Sequence, residues 1–231
     1  GIYGLSLHPT TDELYICYQT AGAGSRRLGI IDTETAAITD IGNCGNIIDI
    51  TFGPDGTLYG ATGSFSADYS FVIIDLVTAA QIFIFDFTLS TYGGAMTYNP
   101  FTDEIYYRNN SGSAYIDPGT FIETLGSPVG APGETQAMET LTPTLGWMAF
   151  FGTLYTFNPI TEIYTSSISI DPYHAFSFGP EPCVTMELDV TSFSVCIGGE
   201  VTLPNISPLP SDNLYSTAGG GTLIELSITV Q

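Results

Sequence analysis

Short apolar runs broken by turn residues dominate this chain. Residues 47–52, 71–75 and 81–87 are rich in β-branched and aromatic side chains, with Phe83, Phe85 and Phe87 interleaved with Ile82, Ile84 and Asp86. Such runs, bounded by Gly, Pro and Asp, predict strands. Little of the chain carries a 3.6-residue apolar period, and Gly and Pro recur too often for long helices. The pattern predicts an all-β protein.

The runs repeat. An apolar-Asp/Asn-x-x-Thr motif occurs at Ile31-Asp32-Thr33-Glu34-Thr35, Ile74-Asp75-Leu76-Val77-Thr78, Ile116-Asp117-Pro118-Gly119-Thr120 and Phe157-Asn158-Pro159-Ile160-Thr161. The acidic or amide residue returns every 41–43 positions, a spacing typical of propeller blades. A second motif interleaves, in which a strand-like run ends at Pro9, Pro54, Pro100, Pro143 and Pro180. After the first three prolines an apolar-Tyr pair follows: Leu14-Tyr15, Leu58-Tyr59 and Ile105-Tyr106. Proline fixes φ and cannot donate to a ladder, so it belongs at a strand end. The carboxylates and amide of Asp32, Asp75, Asp117 and Asn158 can accept backbone N–H bonds in an Asx turn, which makes them structural turn residues.

The segments Phe52-Gly53-Pro54-Asp55-Gly56-Thr57-Leu58-Tyr59 and Tyr98-Asn99-Pro100-Phe101-Thr102-Asp103-Glu104-Ile105-Tyr106, with the four Asp-x-x-Thr turns, resemble secreted bacterial propellers with YVTN-, NHL- or DUF4394-like repeats. The resemblance implies blades of four antiparallel strands. It predicts a β-propeller-like array over residues 1–180, with four units and a partial fifth.

From Cys183 the texture changes. Ser194-Val195-Cys196-Ile197-Gly198-Gly199-Glu200-Val201-Thr202-Leu203 resembles the Ig-like adhesive modules of large secreted proteins of the Bacteroidota. That resemblance implies a small Ig-like β module over 183–231, shorter than a complete sandwich of about 100 residues. Its last segment places Ile224, Leu226, Ile228 and Val230 on one face and Glu225, Ser227, Thr229 and Gln231 on the other. Such a strand pairs within its own module or is donated to a neighbouring subunit.

Composition narrows the partners. The net charge is −21, from 24 acidic and 3 basic residues, and no lysine occurs. Nucleic acid and anionic membrane surfaces are not expected as partners, because both call for clustered cations. No stretch approaches the roughly 20 apolar residues of a membrane span. The chain starts at Gly1 in strand-like sequence, which predicts a processed or trimmed amino terminus. Four cysteines in local pairs, Cys17 with Cys44 and Cys183 with Cys196, suit disulfides in an oxidising compartment. Asn109 and Asn205 head glycosylation sequons.

Catalytic chemistry is sparse. His8 precedes the first Pro turn, and His174 has no evident partner in sequence. Asp12-Glu13 and Asp103-Glu104 fall in equivalent turns, which favours solvated turns over a glycosidase pair. No nucleophile elbow, phosphate loop or EF-hand is present, and no cofactor is expected. Fourteen tyrosines and Trp147 offer aromatic faces for sugars or for ordinary strand packing. The expectation is a non-catalytic, extracellular structural or adhesive protein that self-associates, with a fibre subunit using strand donation as its sharpest form. A glycan- or small-ligand-binding propeller is the alternative, and a propeller lyase or hydrolase the third.

Overall fold

The computed structural model describes residues 1–20, 25–63, 69–89, 94–128, 135, 137–150, 153–169, 183–188 and 191–196. Local turns make each strand pair with the next. Blade 1 holds β1 (Ile2–Leu7), β2 (Leu14–Tyr18), β3 (Arg26–Ile31) and β4 (Ile38–Gly45). Blade 2 holds β5 (Ile47–Phe52), β6 (Leu58–Thr62), β7 (Ser70–Ile74) and β8 (Gln81–Asp86). Blade 3 holds β9 (Ala95–Asn99), β10 (Glu104–Arg108), β11 (Ser113–Ile116) and β12 (Glu123–Leu125). Blade 4 holds β13 (Ala137–Thr142), β14 (Leu145–Phe150), β15 (Thr153–Phe157) and β16 (Tyr164–Ser169). Each is a four-stranded antiparallel meander in sequence order. The first strands lie side by side, β5 against β1, β9 against β5 and β13 against β9. The array is a four-bladed β-propeller.

The hairpin between the third and fourth strand of each blade has one construction. Oδ1 of Asp32 accepts the amides of Glu34 and Thr35 at 2.9 and 2.7 Å, and Oδ1 of Asp75 those of Val77 and Thr78 at 3.0 and 2.7 Å. Asp117 does the same for Gly119 and Thr120, and Asn158 for Ile160 and Thr161. The fifth residue of each turn then enters the left-handed region: Ala36, Ala79, Phe121 and Glu162, with φ between 54° and 61°. None is Gly, so the hydrogen bonds on both sides hold a conformation that side chains disfavour. The Thr78 and Thr120 hydroxyls, followed by the turn amides, hold the carboxyls of Asp75 and Asp117 below the usual carboxylate range, and at Asp32 the Thr35 amide leads.

Among the described residues, three apolar clusters fill the seams between successive blades. Tyr15, Cys17 and Leu28 of blade 1 meet Ile50, Phe52 and Leu58 of blade 2. Tyr59 and Phe71 of blade 2 meet Met96, Ile105 and Tyr107 of blade 3. Ala95 and Tyr106 of blade 3 meet Met138, Met148 and Phe157 of blade 4. Alternation along each middle strand explains how one blade serves two seams: Tyr106 and Tyr107 are neighbours, both fully buried, on opposite faces.

The chain divides into two compact units, Gly1–Pro180 and Glu181–Gln231. In the second, β17 (Cys183–Leu188) pairs antiparallel with β18 (Thr191–Cys196), which sets Cys183 opposite Cys196 in register. The rest of the expected Ig-like module lies outside the described residues, as does Pro180 of the partial fifth unit.

Candidate functional site

The first strands carry the densest group of buried polar side chains. Three residues before Pro9, Pro54, Pro100 and Pro143 stand Ser6, Thr51, Thr97 and Thr140, all buried. The Ser6 hydroxyl accepts the amide of Phe52 in the next blade at 3.0 Å. That of Thr51 accepts Tyr98 N–H at 3.0 Å, and that of Thr97 accepts Thr140 N–H at 3.1 Å. A hydroxyl of each of the first three blades thus satisfies a backbone donor of the following one, a bond that a buried N–H must find somewhere. The Thr140 hydroxyl, last of the series, has no partner among the described residues. Ser177 stands at the same distance before Pro180 but lies outside them.

Two carboxyls join this group. Asp49 is buried, its Oδ1 accepting the amide of Ile50 at 2.9 Å and its Oδ2 that of Met96 in blade 3 at 2.7 Å. Gly4 makes room for it, since a Cβ there would lie 2.8 Å from Asp49 Oδ1. Burial pushes the Asp49 carboxyl well above the usual range, outweighing the two amides. Glu139 of β13 is pushed up by burial and then by the charge of Asp49, while a bond from Thr97 pulls it down. In each, burial favours the neutral carboxyl over the charged one.

The left-handed turn residues reach backward into the preceding blade. Ala79 is fully buried, and a Cβ on Gly42 of blade 1 would lie 3.2 Å from its Cβ. Phe121 sits 6.5 Å from the Phe71 ring of blade 2. Glu162 is buried and accepts bonds from Ser113 Oγ and Ser127 N of blade 3 and its following loop. Ala36, in the first blade, is exposed.

The other sequence-derived sites are distributed differently. Cys17 and Cys44 are buried thiols with sulfurs 3.7 Å apart; the hydrogen bond to Cys44 and burial push the Cys17 thiol up. Asn109 is fully buried, its Nδ2 donating to Leu89 O at 2.9 Å and its Oδ1 accepting Ser111 N at 2.8 Å. The nitrogen that a glycan would occupy is turned into the fold, where it ties blade 3 to the loop after β8. Asn205 and the alternating residues Ile224, Leu226, Ile228 and Val230 lie outside the described residues.

His8 is a turn residue. Its Nδ1 accepts the amides of Thr10 and Thr11, both at 3.3 Å, and its ring packs 4.7 Å from Phe52. His174 lies outside the described residues. Asp12 and Asp103 share a left-handed φ of 58° in equivalent turns, and Asp103 accepts the Tyr98 hydroxyl at 2.7 Å. Among the described residues no group of three or more His, Cys, Asp or Glu is placed to hold a metal ion.

All three arginines are engaged within the chain. Arg26 is buried, donates to Ile47 O and stacks 3.6 Å from the Tyr3 ring centroid. Arg27 pairs with Asp40 on the surface, and Arg108 donates to Gly112 O at 2.7 Å.

Sequence reasoning found the turns and missed the hydroxyls between blades. Their signal was available, as Ser or Thr three positions before Pro9, Pro54, Pro100, Pro143 and Pro180.

No protein-family model matches the chain, and no curated protein matches it. Solved structures do. An auxiliary nutrient-binding protein from Bacteroides ovatus ATCC 8483 is 14% identical with a TM-score of 0.55, over 82% of this chain and 49% of that one. TolB from Acinetobacter baumannii is 12% identical with a TM-score of 0.53, over 85% and 51%. U3-55K is 13% identical with a TM-score of 0.50, over 74% and 54%. The chain spans about half the length of each. At such identities the likeness is one of fold, and the fold they share with this chain is the β-propeller.

Proposed function

We propose that the chain is an extracellular, non-catalytic structural protein whose propeller is a rigid scaffold for association with further copies of itself. One observation carries this reading: polar side chains of the first strands, with Glu162 of one turn, hold neighbouring blades together. Ser6, Thr51, Thr97, Asp49 and Glu162 all bond across blades. In its sharpest form the chain is the subunit of a surface fibre and donates residues 222–231 to a neighbour. Electron microscopy and light scattering of the full chain, with and without those residues, test this. Assemblies that disappear on truncation support donation, and particles unchanged by truncation overturn it.

The location has its own test. In an oxidising compartment the adjacent thiols of Cys17 and Cys44 give two protons and two electrons to a disulfide oxidant and join. Peptide mapping of the native protein without reductant should find that pair linked; free thiols in protein recovered from its natural location would contradict it.

The alternative is a propeller that binds glycans or another small ligand, supported by the tyrosine content and by the fold likeness to the nutrient-binding protein. A glycan array probed at varied calcium separates the two, and specific hits would favour the alternative.

A further inference from the structure

The four blades end in four equivalent edge strands, and one is unlike the rest. An edge strand offers unpaired backbone groups to any passing strand, and proteins blunt such edges with charge, shortness or bulges. In blade 1, β4 has register shifts at two places and carries Asp40 in an ion pair with Arg27. In blade 3, β12 has three residues and begins at Glu123. In blade 4, β16 is rich in hydroxyls, reading Tyr-Thr-Ser-Ser-Ile-Ser. In blade 2, β8 has six residues, Gln-Ile-Phe-Ile-Phe-Asp, with no charge before Asp86. Ile82 is 54% exposed and Phe83 62%, and the Val77 side chain of the adjoining turn is 83% exposed. The single bulge falls at Ile84, leaving Gln81, Ile82 and Phe83 in regular pairing with β7.

We propose that β8 is an interaction edge and that its occupant is β8 of a second copy, added antiparallel so that two blades form one continuous sheet. Two observations favour this occupant. The segment Ile82-Phe83-Ile84 reads the same in both directions, so antiparallel self-pairing at Phe83 sets Ile82 opposite the partner's Ile84. The two-fold arrangement makes each such contact twice. The same register places Asp86 opposite the partner's Ala80, so no like charges face each other. In a molecule of net charge −21, an uncharged apolar edge is where two copies repel least. Cross-strand aromatic and β-branched pairs then add to the main-chain ladder. This edge does not depend on donation of residues 222–231, and the two associations fail separately.

The test is sedimentation or light scattering on four proteins: the full chain, Phe83→Lys, the chain lacking residues 222–231, and the truncated chain with Phe83→Lys. Phe83→Lys should weaken pairing about thirtyfold or more, as loss of a central aromatic anchor does. The truncated chain should still dimerise, and its Phe83→Lys form should be monomeric. Pairing unchanged by Phe83→Lys overturns the proposal. Pairing lost on truncation with β8 intact also overturns it, and assigns association to the C-terminal segment instead. Should Phe83→Lys misfold, hydrogen exchange on the unaltered chain decides: β8 amides must gain protection as concentration rises, and concentration-independent exchange contradicts the pairing.

Discussion

The seam between blades 2 and 3 and the seam between blades 3 and 4 share a frame and differ in filling. Both are bridged by a threonine hydroxyl to the next blade's amide, Thr51 to Tyr98 and Thr97 to Thr140. Both receive a left-handed turn residue, Phe121 in one and Glu162 in the other. The first seam is aromatic: Tyr59 stacks on Phe71 at 5.3 Å and Phe87 on Tyr107 at 4.1 Å. The second mixes aromatic rings with buried polar bonds. There Tyr106 and Tyr164 meet through their hydroxyls at 2.7 Å, Tyr115 donates to Pro159 O at 3.0 Å, and Glu162 holds Ser113 and Ser127. The difference teaches that backbone satisfaction sets the spacing of blades, while the side chains between them are free to vary.

Four experiments sharpen this contrast, in descending order of effect. Phe71→Ala empties the centre of the aromatic seam and should cost about 3–5 kcal/mol in denaturant unfolding, as large core truncations do. Glu162→Ala leaves the Ser113 hydroxyl and the Ser127 amide without their acceptor and should cost about 1–3 kcal/mol. Equal losses for these two would erase the distinction between packed and hydrogen-bonded seams. Thr51→Val and Thr97→Val keep shape and remove the acceptor, and each should cost about 1–2 kcal/mol. The two values should agree despite the different fillings; a loss at one seam only would break the claim of a common frame.

The smallest effect is a pH slope. Asp49 and Glu139 bind protons more tightly in the folded chain than in the unfolded one, whose carboxyls titrate near about 4. Their stabilising contribution is complete below that range and is lost as pH rises through the folded values. The carboxyls of Asp32, Asp75 and Asp117, lowered by the hydroxyls and amides of their turns, act oppositely and lose their contribution as pH falls, but they are exposed and screened. Unfolding free energy should therefore fall as pH rises above the ordinary carboxylate range, and Glu139→Gln should flatten the slope. A slope unchanged by that substitution would remove Glu139 from the account.

What was legible in the sequence was local. The Pro and Asp-x-x-Thr turns announce themselves because proline and Asx residues act on amides two or three positions away. They were enough to give the four blades and their strand order. The left-handed positions were invisible because Ala36, Ala79, Phe121 and Glu162 share no chemistry; the turn around them enforces the conformation. Asp49 read as one more strand residue, since its second amide partner, Met96, is 47 residues away. The seam hydroxyls have the same difficulty, with partners 43 to 47 residues distant. Asn109 carries a sequon, yet its burial follows from a contact with Leu89 that no short pattern encodes.

Backbone hydrogen exchange at Phe52, Tyr98 and Thr140 tests the common frame most directly. These three amides should rank among the slowest in the propeller, and Thr51→Val should release Tyr98 while leaving Phe52 protected. Exchange at all three as fast as in the exposed Asp turns would contradict the account.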